Sequence, residues 1–268
     1  MKWLSPKQVK YLDFLIAMTE KEIKVRYKMA FLGFLWIFLN PLLQMAVMGF
    51  IFHFFVPVKI DNYFLFLFVG LLPWNFFSMT VNKATPVVIF ERNLIQKAKF
   101  PREILVLSIV LSNLFHFFIS FIILLAALVM DKVLSGYSFT QLVQYFLRIS
   151  LSLGLSVWLG LITSGFSLLF SALNVKYRDV NFILQAFLPL WFYLTPIVYT
   201  LNLLPQQFQY IFFLNPFTSI IQLYQVILLN QQVLYPTLTI LNLLAGGIIA
   251  LIGWKVFHSE SPYFDDWV

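Results

Sequence analysis

The residues with a chemistry to offer sit in one polar island, residues 83–103, KATPVVIFERNLIQKAKFPRE, within an otherwise strongly apolar chain. Glu91, Arg92, Asn93 and Lys97, with Leu94 among them, make a short run of both charge signs around apolar positions. That composition suits recognition rather than catalysis: it can rest on lipid headgroups or dock into a groove of another protein. Docking is the reading adopted; the plainer alternative is a solvated loop whose positive charge sets topology. Thr85-Pro86 predicts a cap and first helical position, with one short helix running to Lys99 and Phe100-Pro101 ending it.

Catalytic chemistry is thin elsewhere. His53, His116 and His258 lie far apart without a helix-spaced ligand partner, so a metal site is not expected. Serines and threonines are scattered without a nucleophile elbow, and no enzyme is expected. The chain has no G-x-x-x-x-G-K-[ST] phosphate loop, so ATP-driven work requires a motor on another chain. Arg148 is either an intramembrane functional charge or a side chain snorkelling to the outer headgroups. Trp74, Phe76, Phe77, Tyr193 and Tyr199, with Trp191 and Phe192, are candidates for a carbohydrate conduit because ring faces stack on sugars. Singly, each ring also suits an interfacial anchor.

The elements that must position these residues follow from composition. With 61% hydrophobic and 11% charged residues, the chain has too few polar groups to cover a water-facing globule. Apolar runs about 20 residues long predict membrane-crossing helices rather than barrel strands. Six spans are expected at 31–56, 63–81, 104–130, 141–173, 180–199 and 235–257. The fourth is longer than a bilayer requires, prolines break the fifth, and Gly246-Gly247 predicts close helix packing in the sixth.

Ahead of the spans, residues 1–30 predict an amphipathic helix on the membrane surface. It starts at the capping box Ser5-Pro6-Lys7-Gln8 and carries Val9, Leu12, Ile16, Ile23, Tyr27 and Ala30 on one face. Residues 201–230 are apolar but divided by Pro205 and Asn215-Pro216 into pieces too short to cross. They read as a re-entrant helical hairpin, or alternatively as two surface helices. Lys and Arg cluster in residues 1–30, the 83–103 loop and the 174–179 turn, which places both termini in the cytoplasm. The net charge of +7 therefore sets topology and does not predict nucleic-acid binding. The first residues lack a cleavable signal pattern, and the absence of cysteine excludes disulfides.

Four motifs in chain order carry a resemblance. They are RYKMAFLGFLW from Arg26 with Pro41 after it, ERNLIQKAKFPRE from Glu91, NVKYRDV from Asn174, and TPIVY from Thr195 followed by Asn215-Pro216. Together they resemble the ABC-2 type permease of bacterial polysaccharide exporters over nearly the whole chain. The resemblance implies a single permease domain over 1–268, working as a homodimer with two copies of a separate ATPase subunit that holds ATP and Mg. The implied substrate is a lipid-linked glycan such as O-antigen, capsule or teichoic acid, exported across the bacterial inner membrane. It also implies that the N-terminal helix, including Arg26, and the Glu91–Lys99 helix meet the ATPase, the latter as coupling helix, and that the hairpin lies near the outer gate. The alternatives are an ABC-2 exporter of drugs or small lipids and, from another class, a membrane-embedded glycan-modifying enzyme.

Overall fold

The computed structural model describes residues 6–28, 33–55, 60 and 62–267. All regular structure among them is helical. In chain order the helices are α1 (Pro6–Tyr27), α2 (Trp36–Phe55), α3 (Tyr63–Ala84), α4 (Val87–Phe90), α5 (Arg92–Lys97), α6 (Glu103–Leu134) and α7 (Phe139–Lys176). They continue with α8 (Asp179–Tyr193), α9 (Gln206–Phe212), α10 (Thr218–Leu229), α11 (Pro236–Glu260) and α12 (Phe264–Trp267). Four helical stretches are long and apolar enough to cross a bilayer: Tyr63–Ala84, Glu103–Leu134, Phe139–Lys176 and Pro236–Tyr263. Leu39–Ile51 and Thr218–Leu229 are shorter apolar helices. At 1.5 Å per residue, α6 and α7 reach about 48 and about 57 Å, well beyond a hydrocarbon core of about 30 Å.

α3 is the axis of the bundle. It packs against α2, α6, α7, α8 and α10, and Phe66, Leu67, Val69, Leu71 and Phe77 lose essentially all solvent exposure. A second, smaller core gathers Met18, Ala84, Val88, Ile95, Leu105, Val175, Phe257 and Phe264, at the end of the bundle that carries α1, α4 and α5. Helices α7 and α11 approach most closely where side chains vanish. A Cβ on Gly165 would stand 2.2 Å from Ala250 Cα, and one on Gly253 would stand 2.1 Å from the Gly165 carbonyl oxygen. Gly246 and Gly247 also face α7, but they meet the movable ends of Ile162 and Trp158. The backbone-to-backbone contact is thus made by Gly165 and Gly253, which carry no conspicuous sequence pattern.

The proline-rich stretch after α8 is held by two asparagines. Asn215 Oδ1 accepts from Trp191 Nε1 (2.9 Å) and the Phe217 amide (3.0 Å), while its Nδ2 donates to Leu194 O (3.1 Å) and Thr195 Oγ1 (2.8 Å). Asn242 Nδ2, from α11, donates to the carbonyls of Phe213 (2.7 Å) and Asn215 (2.9 Å). These bonds satisfy backbone groups that the helix breaks leave unpaired.

Several expectations shift. The fifth apolar stretch is helical only to Tyr193, because Pro196 forbids continuation and Leu194–Tyr199 forms turns. At 15 residues α8 is shorter than a straight crossing needs. The 201–230 segment does split at Asn215-Pro216, into exposed α9 and α10, whose Ile220, Ile221, Tyr224 and Leu228 are wholly buried. A surface helix cannot bury that face, so α10 belongs to the interior. Ser5 of the expected capping box, Lys59 and the side chain of His53 lie outside the described residues.

Two outcomes follow. Gly253→Val, which forces α11 off α7, is expected to cost about 1–3 kcal/mol, read as a lower thermal transition of the detergent-solubilised protein. Asn215→Leu strips two acceptor and two donor contacts from a buried break. It is expected to cost more than about 2 kcal/mol and to lower the folded yield, whereas a yield equal to the native protein's would show that the hub is dispensable.

Candidate docking site and its supports

The polar island forms two short helices, not one. α4 covers Val87–Phe90 and α5 covers Arg92–Lys97, with Glu91 between them at φ −94°, ψ 23°. Thr85 is not the cap of the new helix. Its hydroxyl bonds back to Val81 O (2.7 Å), ending α3, and Pro86 takes the N-cap position. The Val81 carbonyl accepts from both the amide and the hydroxyl of Thr85, the back-bonding geometry of a threonine at a helix end.

The break has a partner that the sequence does not advertise. Lys21 Nζ on α1 donates to Glu91 Oε1 at 2.6 Å. One residue further along α1, Glu22 Oε2 accepts from Lys83 Nζ at 2.5 Å, with the glutamate side chain only 12% exposed. Glu20 is tied to Lys24 at 2.6 Å, and the hydrogen bond and charge of that lysine hold its carboxyl below the usual range. The row Phe14, Met18, Glu22 and Arg26 therefore faces the protein: Phe14 meets Phe100 with ring centroids 4.9 Å apart, Met18 is buried, and Arg26 donates to Asn113 Oδ1 on α6. Ile16, expected on the apolar face of α1, is 54% exposed. Tertiary packing on α6 has displaced the amphipathic face by a part-turn. Arg26 is accordingly a tie between α1 and α6, half-buried beside a mixed cavity of about 280 Å³ lined by Asn40, Gln44, Asn75 and His116 together with apolar residues such as Leu72 and Phe76.

What α4 and α5 present outward is then well defined. Val87, Val88 and Ile95 turn inward, Leu94 is half-buried, and Arg92, Asn93, Gln96 and Lys97 are exposed. Phe90, which the composition did not single out, is 76% exposed beside them. A large ring in water next to a basic run is a binding feature. Arg102 closes the segment by donating to the carbonyls of Ala98 (3.1 Å) and Phe100 (3.3 Å). From below, Phe264 of α12 is fully buried in the same small core, and Lys176 lies 5.8 Å from the Trp267 ring centroid. The C-terminal segment is thus a further support of α5, signalled in sequence only by aromatic residues after the last apolar run.

The aromatic candidates divide. Trp74, Phe76 and Phe77 are buried, with Phe77 packed 3.8 Å from the Phe217 centroid and 5.2 Å from Trp191. Trp74 stands 5.6 Å from Phe77 and 5.9 Å from Phe192. Trp74 and Phe77 pack on each other, while Phe76 packs on Phe117 with ring centroids 5.5 Å apart and also lines the cavity beside Arg26. Tyr193 is 57% exposed, and half-buried Tyr199 donates its hydroxyl to Tyr193 O at 2.7 Å. Arg148 is exposed on α7 and donates to Asn230 Oδ1 at the end of α10, so it serves as a strut.

The described residues thus form a many-helix bundle of the kind that spans a membrane, with the α4–α5 segment braced at its basic end. Residues 14–229 match the model of the ABC-2 type transporter family. Among curated proteins, the chain is 32% identical over 246 residues to an O-antigen export system permease protein RfbA of Klebsiella pneumoniae, covering 92% of this chain and 91% of that one. It is 31% identical over 259 residues to a protein of the same name from Myxococcus xanthus, with 95% of each covered. The polysialic acid transport protein KpsM of Escherichia coli is 24% identical over 209 residues, 76% of each chain. The chain belongs to the ABC-2 type transporter family, whose members are transport permeases and not enzymes.

If α1 is the brace for the docking segment, Glu22→Lys or Lys83→Glu alone is expected to cost on the order of 1 kcal/mol, while the double exchange restores stability. Thermal unfolding of the three variants measures it; failure of the double exchange to recover would show that the pair carries no specific coupling.

Proposed function

We propose that this chain is the membrane subunit of an ATP-driven exporter that moves a lipid-linked polysaccharide across the bacterial inner membrane. The observation that carries the reading is the outward face of Phe90, Arg92, Asn93 and Lys97 on two short helices, braced by Lys21–Glu91 and Glu22–Lys83. In a protein of this family that has no phosphate loop, such a face is where force from a separate ATPase enters. The glycan substrate is supported by the names of the relatives.

The working assembly in this reading is a homodimer of the chain with two ATPase subunits, which hold the ATP and Mg. Both termini are cytoplasmic, and α2 and α8 complete six passes with the four long spans. The 201–230 segment dips in from the outer side as a re-entrant hairpin. Closure of the ATPase dimer pushes on α4 and α5. Because α1 is clamped to them and to α6, the push tilts a whole unit instead of bending a loop. ATP supplies the bias through its differential affinity for the two states of the permease. Exposed Tyr193 and Tyr199 are the aromatic residues left to meet the glycan.

The test combines Phe90→Ala with Arg92→Glu in the complex of permease and ATPase. Glycan export and permease-stimulated ATP hydrolysis are expected to fall at least about tenfold while the bundle stays folded by gel filtration. Export at the native rate in that variant would place the force-bearing contact elsewhere.

A further inference from the structure

At the end of the bundle opposite α4 and α5, a basin of about 610 Å³ opens between the start of α3, the end of α6, the turns after α8 and the segment joining α10 to α11. Its lining is dominated by side-chain amides. Part of this set is structural: Asn62 Nδ2 donates to Asp131 Oδ1 (2.8 Å), Gln225 Nε2 to Pro196 O (3.1 Å), and Gln222 Oε1 accepts from Thr239 Oγ1 (3.2 Å). Asn230, the partner of Arg148, closes the rim. Asn62 and Asn230 hold left-handed backbone at φ 47° and 59°, so the rim is shaped by residues that tolerate that conformation.

Onto this scaffold project Asn202, in a short 3-10 helix (Leu201–Leu203), and Gln231 and Gln232, in the irregular segment after α10, all of which line the basin. Three amides that stabilise no helix and no core have no evident structural duty.

The chemistry selects a ligand class. Among the described residues the lining holds one carboxylate and one ammonium, Asp131 and Lys132, which lie 3.4 Å apart and offset each other, so these residues give no net charge that favours phosphate or a carboxylated ligand. Its polar character argues against a lipid tail. A carboxamide offers two donors and two acceptor lone pairs in one plane, which matches vicinal hydroxyls that both give and accept hydrogen bonds. Leu201, Leu203 and Leu234 supply apolar wall for the C–H faces of a pyranose. Among the described residues no aromatic ring lines the basin, which makes for weak, exchanging contact. That suits a chain in transit.

We propose that this basin is a neutral-saccharide subsite that receives the glycan as it leaves the permease. The assignment rests on the export reading above and adds to it a place and a chemical preference.

The test uses the full chain with its ATPase partner in lipid nanodiscs. Saturation-transfer NMR is recorded with maltotetraose, cellotetraose and α-mannotetraose as neutral probes and a sialic acid tetramer as the acidic one. Transfer to at least one neutral probe is expected, with little to the acidic one. The triple variant Asn202→Ala, Gln231→Ala, Gln232→Ala is expected to weaken neutral binding about tenfold. Gln207→Ala, on exposed α9 outside the basin, should leave it unchanged. Absence of neutral binding, preference for the acidic probe, or equal binding by the triple variant would overturn the subsite.

An export assay on the same preparations separates the two readings. Export that continues at the native rate without any saccharide binding at the basin removes the subsite and leaves the exporter standing. Basin binding in a complex that moves no glycan removes the exporter and leaves the subsite.

Discussion

A chain that breaks its helices among apolar neighbours must find partners for every amide and carbonyl it releases, because lipid and packed side chains offer none. In this protein that constraint is met chiefly by Asn215 and Asn242. Between them they join the end of α8, the turn before α10 and the middle of α11. Once those groups are satisfied, α10 can sit inside the bundle against α3 and α7, and the aromatic cluster of Trp74, Phe77, Phe166, Trp191 and Phe217 can close around it. Were the break solvated instead, α10 would have no reason to be interior, and α3 would lose one wall of its surroundings.

At the opposite end the governing interaction is ionic. Two lysine–glutamate pairs on successive residues of α1 bind the connection between α3 and α6. The more exposed of them, Lys21–Glu91, adds little stability. Their value here is geometric, since they fix where the α4–α5 elbow stands relative to α6. The small core of Met18, Val88, Ile95, Leu105 and Phe264 underneath supplies the cohesion. Apolar contact makes the unit stiff and the charges set its register.

Local features were legible in advance because their causes are local. Apolar runs near bilayer length announced the long helices, although the structure extends the third to Leu134 and ends the fifth at Tyr193. Prolines marked the breaks, and the polar island marked the exposed, charged segment between α3 and α6. The family motifs resolved the function class, which composition alone could not. What the sequence left unread has one cause. The face of α1, the split at Glu91, the interior position of Trp74, Phe76 and Phe77, and the use of Arg26 as a tie all depend on residues distant in sequence. Lys21 and Glu91 are 70 positions apart and Arg26 and Asn113 are 87 apart, and no periodicity within a window carries that information.

The sequence by itself determined that this is a helical membrane protein, where its helices break, which loops are charged, and that it belongs to the ABC-2 type transporter family. These properties follow from hydropathy, backbone chemistry and short motifs read along the chain. Only the tertiary structure decided which aromatic rings are spent on packing, which charges are already paired, that Phe90 stands exposed beside Arg92, and that amides from four separate segments line one basin. Those are outcomes of competition among many possible neighbours, and the winner is set by packing in three dimensions.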